Sequence, residues 1–205
     1  MRMSLGENMI VTLFGESHGP AVGAVIEGMP ANIEFDLEQL ISDMVSRRPG
    51  SGLASKRKET DDVEILSGVN NGKTTGMPIL LLIRNQDVRS KDYSFLPYQP
   101  RPGHVDHPIN IKTEGAADLR GGGSFSARLT AGLVAASSIS RNIIPDDWKI
   151  EATVGALGGL EGEEGVALAE QARKDGDSLG SRVDLVITGL PVGLGEPWFD
   201  GLEPA

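Results

Sequence analysis

The sequence of 205 residues predicts an α+β protein in which antiparallel sheet packs against helices. Two hairpin patterns, within residues 8–27 and 63–84, predict the sheet because strand-forming runs flank short turn signals. Two helical patterns, near residues 36–48 and 124–142, predict the helices. The length suits one domain of ordinary size or two small ones, and we expect a single domain over residues 1–205.

Both hairpins are marked by their turns. The first turns at residues 15–19, between two glycines, and the second turns at the Asn-Asn-Gly sequence of residues 70–72. An alternative for residues 68–74 is a phosphate-binding P-loop. The hairpin is favoured because this segment has three spacer residues where the P-loop has four, and because it lies between two strands. The predicted strands are residues 8–14, 21–27, 63–69 and 73–84, and the last is apolar enough near residues 79–83 to be buried on both faces.

The helices are predicted from caps and from periodicity. Asp36 and Gln39 form a capping-box pattern, in which the aspartate accepts from the backbone amide of Gln39 while the Gln39 side chain reaches back. Apolar residues at helical spacing continue this helix to about residue 48. Small residues over 124–142 predict a buried helix. The remaining assignments are a surface helix at residues 163–174, a strand at 182–188, and loops at 50–60, 86–117 and 155–165.

The composition narrows the classes of function. Lys and Arg number 19 against 29 Asp and Glu, and the net charge of −10 disfavours non-specific binding to nucleic acid or membrane surfaces. The absence of cysteine excludes a disulfide framework, a thiolate metal site and a cysteine nucleophile. The longest apolar run, residues 77–83, is too short to span a bilayer. We therefore expect a soluble cytoplasmic protein with neither nucleic-acid nor membrane partners.

Three histidines are candidates for proton transfer. His18 and His104 lie in glycine-flanked turns, where a ligand can approach the backbone closely. Imidazole is the usual proton carrier near neutral pH. Two alternatives are solvated loop side chains and a metal site, for which His104 and His107 supply two ligands with no evident third. We expect no metal.

Positive charge is concentrated despite the acidic total. One cluster lies within residues 47–58, and three further arginines adjoin glycine motifs: Arg101, Arg120 and Arg128. Guanidinium groups bind carboxylate or phosphate through a planar fork of donors. The glycine triplet at residues 121–123 precedes the predicted helix, so its amides and the helix dipole would favour an anion there. The pattern indicates a site for a small polyanion, and the alternatives are a solvated charged loop and a plain helix cap.

Nine motifs in one order resemble the N-terminal part of chorismate synthase, over residues 8–202. They are FGESHG at 14–19, RRPG at 47–50, ILSG at 65–68, TTG at 74–76, RSKDY at 89–93, RPGHVD at 101–106, RGGG at 120–123, GDSLG at 176–180 and GLGEP at 193–197. Each motif alone is unremarkable, and their joint occurrence in register carries the resemblance.

The resemblance implies a β-α-β sandwich of the chorismate synthase type and a homotetramer. It implies a carbon–oxygen lyase that converts 5-enolpyruvylshikimate 3-phosphate to chorismate and phosphate by 1,4-anti elimination, in the shikimate pathway of aromatic amino acid biosynthesis. It also implies reduced FMN as the cofactor, with NADPH for its reduction, although the reaction causes no net redox change. A substrate with two carboxylates and a phosphate suits the clustered arginines and the two loop histidines.

Site roles carry over from the resemblance position by position. His18 matches the histidine thought to protonate the reduced flavin, and His104 matches the one that helps the departing phosphate. The substrate-holding positions are Arg47, Arg101 and Arg128, with Ser17 and Ser126 beside them. The flavin-contacting positions are Ser124, Phe125, Ser126 and Arg47.

Three departures from the family pattern are evident. Residues 121–130 are GGGSFSARLT where the family commonly has GGGRSSARET, so a cation and a carboxylate are absent. A second substrate-site arginine is expected near Leu53, and Lys56 or Arg57 is a candidate replacement. The nine motifs correspond to about half of the family pattern. We therefore expect a truncated fold, with the domain incomplete at its C-terminus.

The alternative to the lyase is a catalytically inactive half-enzyme that binds polyanions or a partner chain. A phosphate-ester hydrolase would need a metal or nucleophile that the sequence does not supply.

Overall fold

A computed structural model describes residues 1–48, 59–86 and 90–194. The described residues divide into two compact units, one up to Ile143 and one from Ile144. The strands are β1 (Ser4–Leu5), β2 (Ile10–Gly15), β3 (Ala21–Glu27), β4 (Ala31–Glu34), β5 (Val63–Ser67), β6 (Val69–Asn70), β7 (Lys73–Thr75), β8 (Ile79–Arg84), β9 (Lys149–Leu157) and β10 (Ser181–Thr188). The α-helices are α1 (Leu37–Arg47), α2 (Asp106–Lys112), α3 (Thr130–Ser140) and α4 (Gly162–Lys174). This mixture confirms the α+β class.

The first unit contains an antiparallel sheet with the strand order β1-β2-β3-β8-β5. The hairpin formed by β2 and β3 confirms the first sequence prediction. On one face of the sheet the side chains of Val22, Ala24 and Ile26 on β3 are opposite those of Ile83, Leu81 and Ile79 on β8, and all six are fully buried. They pack with apolar residues of α1 and α3 into one core, whose burial stabilises the unit.

Helix α3 crosses β3 at a close backbone approach. A Cβ atom on Gly132 would lie 2.5 Å from the carbonyl oxygen of Gly23, so a larger residue would push the helix off the sheet. Ala131, Ala135 and Ile139 are buried in this contact region. The predicted buried helix is therefore confirmed over Thr130–Ser140, but it begins six residues later than the pattern of small residues indicates.

Helix α1 begins as the capping pattern predicts. The Asp36 carboxylate accepts from the Gln39 amide at 2.8 Å. The second half of the predicted capping box is wrong, because the Gln39 side chain donates forward to Asp43 at 2.9 Å. Leu40 and Met44 are buried, as the apolar spacing predicts. Most of the loop predicted at residues 50–60 lies outside the described residues.

The turn predicted for the second hairpin is confirmed, but the prediction of one continuous strand after it is wrong. Asn71 and Gly72 have positive φ angles, of 48° and 73°, which suit a tight turn between β6 and β7. The single strand predicted over residues 73–84 is two strands, because Gly76 (φ 78°) and Pro78 break it. Strand β7 joins β4 and β6 in a separate sheet, whereas β8 joins the five-stranded one. The expectation of burial on both faces is also wrong, since burial alternates along β8.

The segment predicted as a loop over residues 86–117 contains helix α2 and a 3₁₀ turn at Ser90–Tyr93. In the second unit, β9 and β10 form an antiparallel pair, and α4 packs on β9. The surface helix and the strand predicted there are confirmed. Strand β9 was not predicted, and its last residues fall in the segment expected to be a loop. Among the described residues, no helix has the length and apolar character needed to cross a membrane.

Candidate functional site

Residues 15–19, which connect β2 to β3, form a loop that we call the histidine loop because it carries His18. Two neighbouring segments hold this loop. The Ser17 amide donates to the Gly123 carbonyl at 3.0 Å, and the Ser124 hydroxyl donates to the Gly15 carbonyl at 3.1 Å. From the end of β8, the Asn85 side chain donates to the carbonyls of Glu16 and Gly19, at 3.0 and 2.8 Å. The backbone that carries the His18 side chain is therefore held by hydrogen bonds to two other segments of the chain.

Gly121, Gly122 and Gly123 form a turn, here called the glycine turn, rather than the start of an α-helix. Their φ angles are 58°, 93° and 53°, in the region where glycine avoids the strain of other residues. The helix start predicted at Ser124 is therefore wrong, because α3 begins seven residues beyond the turn, at Thr130.

The glycine turn brings the two predicted histidines together. A Cβ atom on Gly121 would lie 2.4 Å from His18 Cδ2, and one on Gly122 would lie 3.1 Å from His104 Nε2. The missing side chains thus leave room for both imidazole rings against consecutive residues of one turn. His18 is buried, whereas the His104 side chain is 30% exposed.

Arg101 and His104 share one buried carboxylate. Arg101 donates to Asp106 through its backbone amide at 3.0 Å and through Nε and Nη2 at 2.8 and 2.7 Å. Asp106 Oδ1 also lies 2.7 Å from His104 Nδ1. The hydrogen bonds from the Arg101 guanidinium hold the pKa of the Asp106 carboxyl well below its usual range.

The Tyr93 ring contacts both His18 and Arg101. Its ring meets the His18 ring edge to face, with centroids 4.8 Å apart, and the Arg101 Cζ lies 5.5 Å from the Tyr93 centroid. Sequence reasoning gave Tyr93 and Asp106 no role, although both lie within motifs that carry the family resemblance. A cavity of about 440 Å³ opens beside Tyr93 and is also lined by Lys91, Asn110 and Arg120. This volume is in the range of small-molecule sites.

Arg47 and Arg128 converge on Asp61, which sequence reasoning also missed. Asp61 Oδ2 lies 2.6 Å from Arg47 Nη1, and Asp61 Oδ1 accepts from Arg128. Arg128 is 4% exposed in its side chain and donates further to Asn85 Oδ1 at 2.9 Å and to the Arg84 carbonyl at 3.3 Å. Because Asn85 also holds the histidine loop, one network of hydrogen bonds connects this ion-pair cluster to His18.

The residues assigned to flavin contact differ in what their side chains do. The Ser124 hydroxyl donates within the chain, and the Ser126 hydroxyl accepts from the Arg128 amide at 3.3 Å. The Phe125 side chain is 41% exposed. Lys56 and Arg57, the candidate replacements for a missing arginine, lie outside the described residues. Within residues 1–48, 59–86 and 90–194, no three His, Asp or Glu side chains are grouped to hold a metal.

The fold and this geometry define an α+β protein in which two imidazoles lie against a glycine turn, with guanidinium groups nearby. The family model for chorismate synthase matches residues 9–205. Chorismate synthases from Aeropyrum pernix and Ralstonia pickettii are 42% and 45% identical to this chain over 98% of its length. A solved structure titled "Crystal Structure of Chorismate Synthase" superposes with a TM-score of 0.69 at 26% identity, and covers 90% of this chain.

The chain therefore belongs to the chorismate synthase family. It spans about 60% of the length of the curated relatives it matches, and 59% of the chain in the solved structure. The matched family and the superposition also confirm the fold expected from the sequence resemblance.

Proposed function

We propose that this chain acts as a chorismate synthase, a lyase that converts 5-enolpyruvylshikimate 3-phosphate to chorismate and phosphate. The observation that carries the proposal is the placement of His18 and His104 against consecutive residues of the glycine turn. Tyr93 connects this pair to Arg101. The names of the curated relatives support the reaction.

In the elimination a base takes one proton from carbon, the electron pair of that C–H bond becomes part of a new carbon–carbon double bond, and the C–O bond to phosphate breaks. His18 and His104 are proposed as proton donors, so neither is assigned as that base. The electron pair of the C–O bond leaves with the phosphate, so negative charge develops on its oxygens. Groups that are already oriented stabilise such charge without reorganising. His104 Nε2, which faces the glycine turn, is the atom proposed to give a proton or hydrogen bond to the leaving phosphate, and Arg101 stands beside it with 28% of its side chain exposed.

The other residues proposed to hold the substrate are Ser17, Ser126, Arg47 and Arg128. The two serines lie at the glycine turn, whereas the two arginines contact Asp61. A Cβ atom placed on Gly121 would lie 3.0 Å from the Ser17 Oγ, and one placed on Gly122 would lie 3.4 Å from the Ser126 Cβ. Arg47 and Arg128 both contact Asp61. A substrate anion would therefore share these two guanidinium groups with a carboxylate of the protein.

Reduced FMN is the proposed cofactor, with NADPH as its reductant, and in the family it assists the elimination without net oxidation. The described residues fit it in part. Phe125 is 41% exposed, and an aromatic ring can stack on a planar heteroaromatic group. Ser124 and Arg47 already bond to Gly15 and Asp61. Arg47 Nε, however, is buried without a hydrogen-bond partner among the described residues, so it is a donor in this set that remains available to an anionic group of the flavin.

We also propose, on family membership, a cytoplasmic homotetramer. The family model runs through both compact units, which supports treating residues 1–205 as one family domain. The partner proposed for this chain is its small-molecule substrate.

Turnover of 5-enolpyruvylshikimate 3-phosphate with reduced FMN tests the proposal. The His104→Ala variant should lose about 10²–10⁴-fold in turnover, the range typical of a general acid, while substrate binding changes far less. The matched control is His107→Ala, because His107 is an exposed histidine three residues further on. Saturable FMN binding in the presence of substrate is also expected. An absence of both binding and turnover would instead support an inactive half-enzyme, and equal losses in turnover and binding would contradict the role of His104.

A further inference from the structure

We propose that Asp106 is a positioning residue, which decides which nitrogen of the His104 ring exchanges protons with a ligand. The effect of Asp106 on catalysis rests on the proposed function, whereas the contacts of Asp106 do not depend on it. His104 would touch the ligand, and Asp106 would act through it.

The Asp106 carboxylate is fixed before any ligand arrives. It is 1% exposed and lies at the first residue of α2. Three hydrogen bonds from Arg101 hold its two oxygens, one from the backbone amide and two from the guanidinium. A carboxylate held at three points has little freedom to rotate away from the ring beside it.

The contact between Asp106 and His104 determines the proton position. Oδ1 of an ionised carboxylate can only accept, and it lies 2.7 Å from Nδ1 of His104. Without a proton between them, two lone pairs at that distance would repel each other. We therefore place the hydrogen of the neutral ring on Nδ1, facing the carboxylate of Asp106.

Arg101 does not reverse this assignment. Its Nη2 lies 3.3 Å from His104 Nδ1, and a guanidinium can only donate. However, that nitrogen carries two hydrogens, and two oxygens accept them: Asp106 Oδ1 at 2.7 Å and the Leu119 carbonyl at 3.3 Å. The shorter contact to Nδ1 is the one from the carboxylate, so the hydrogen is placed on Nδ1.

The consequence is that Nε2 is the nitrogen that gains and loses the second proton. This atom faces the glycine turn, at 3.1 Å from the Cβ position of Gly122. In the neutral ring Nε2 presents a lone pair there, and in the charged ring it presents a proton. The partner of one ring nitrogen thus sets the chemistry of the other.

Nitrogen NMR of the ¹⁵N-histidine-labelled chain tests this assignment. At alkaline pH, where imidazole rings are neutral, a long-range ¹H–¹⁵N correlation spectrum distinguishes protonated from unprotonated ring nitrogens. His104, assigned by the loss of its signals in His104→Gln, should show a protonated Nδ1 and an unprotonated Nε2. A wild-type spectrum with the proton on Nε2 would overturn the proposal without any variant.

Two variants sharpen the test. Asp106→Asn should increase the population of His104 rings protonated at Nε2, because the anionic acceptor is gone. Asp118→Asn is the matched control, since Asp118 pairs with Arg120 beside the same glycine turn and should leave the His104 spectrum unchanged. The same His104 spectrum in wild type and in a folded Asp106→Asn variant would contradict the proposal.

Turnover separates this inference from the proposed function. If both hold, Asp106→Asn lowers kcat about tenfold or more with little change in KM, as expected when a catalytic imidazole has the wrong tautomer. The expected spectra together with unchanged turnover would support the positioning role and refute the catalytic use of His104. A proton on Nε2 in the wild type would refute the positioning role, whatever the turnover.

Discussion

Replacing Asp61 with asparagine would remove one negative charge between two guanidinium groups while keeping the side-chain volume nearly constant. Asp61 is 1% exposed, and its two oxygens contact Arg47 and Arg128. The variant would leave the Arg128 side chain, which is 4% exposed, without its strongest anionic contact. Removing one partner of a buried ion pair typically costs about 3–5 kcal/mol, and we expect a loss in that range.

Urea unfolding at neutral pH, followed by circular dichroism, measures this loss. For a chain of this size the corresponding fall in Tm is about 6–20 °C, at roughly 2–4 °C per kcal/mol. Asp62→Asn is the matched control. Asp62 is the next residue, its side chain is 76% exposed, and it lies 3.5 Å from Arg48. We expect this control to unfold with the wild-type midpoint, since exposed pairs contribute little.

The comparison between the two variants can refute the reasoning. A loss below about 1 kcal/mol for Asp61→Asn would show that the buried cluster contributes no more than a surface pair. Equal losses for the two variants would show that the burial of Asp61 has no special energetic weight. Either result would remove the basis for regarding Arg47 and Arg128 as organised by this carboxylate.

Two further predictions concern the glycine turn and acid stability. Gly121→Ala should destabilise the chain by about 1–3 kcal/mol, because alanine is strained at φ 58° and its Cβ would overlap the His18 ring. Gly180→Ala is the control in open space, and equal urea midpoints would contradict the prediction. The stabilising contribution of Asp106 should be complete above its ordinary pKa of 3.8 and should fall as the pH drops toward its depressed folded pKa. Accordingly, the difference in unfolding free energy between wild type and Asp106→Asn should narrow in acid, and a constant difference would contradict this.

Local signals predicted the elements that depend on neighbouring residues. The Asp36 cap, the Asn71-Gly72 turn and the bounds of β3 were correct because short-range hydrogen bonds and turn conformations determine them. The division of residues 73–84 between two sheets was not predictable in this way. It depends on pairing with β4 and β3, which lie about forty to sixty residues earlier in the chain.

The site shows the same contrast. The glycine-flanked positions and the chemistry of imidazole indicated His18 and His104 as candidates, and the structure brings them together at one turn. Asp61 had no comparable signal, because it meets Arg128 across 67 residues of sequence. Asp106 could have been found, since it follows Arg101 and His104 in the same motif. The helix start expected at Ser124 was wrong because a glycine triplet permits turn conformations as readily as it precedes a helix.

The pairing of the arginines has a consequence for any anion that enters this region. Arg101 pairs with Asp106, Arg120 pairs with Asp118, and Arg47 shares Asp61 with Arg128, which also has Glu59 at 3.7 Å. The formal charges of these eight side chains sum to zero. A phosphate or carboxylate arriving there meets cations that already have counter-ions, so its capture is an exchange between anions. Protonation of either imidazole would add the positive charge that favours the newcomer, which links anion uptake to proton uptake.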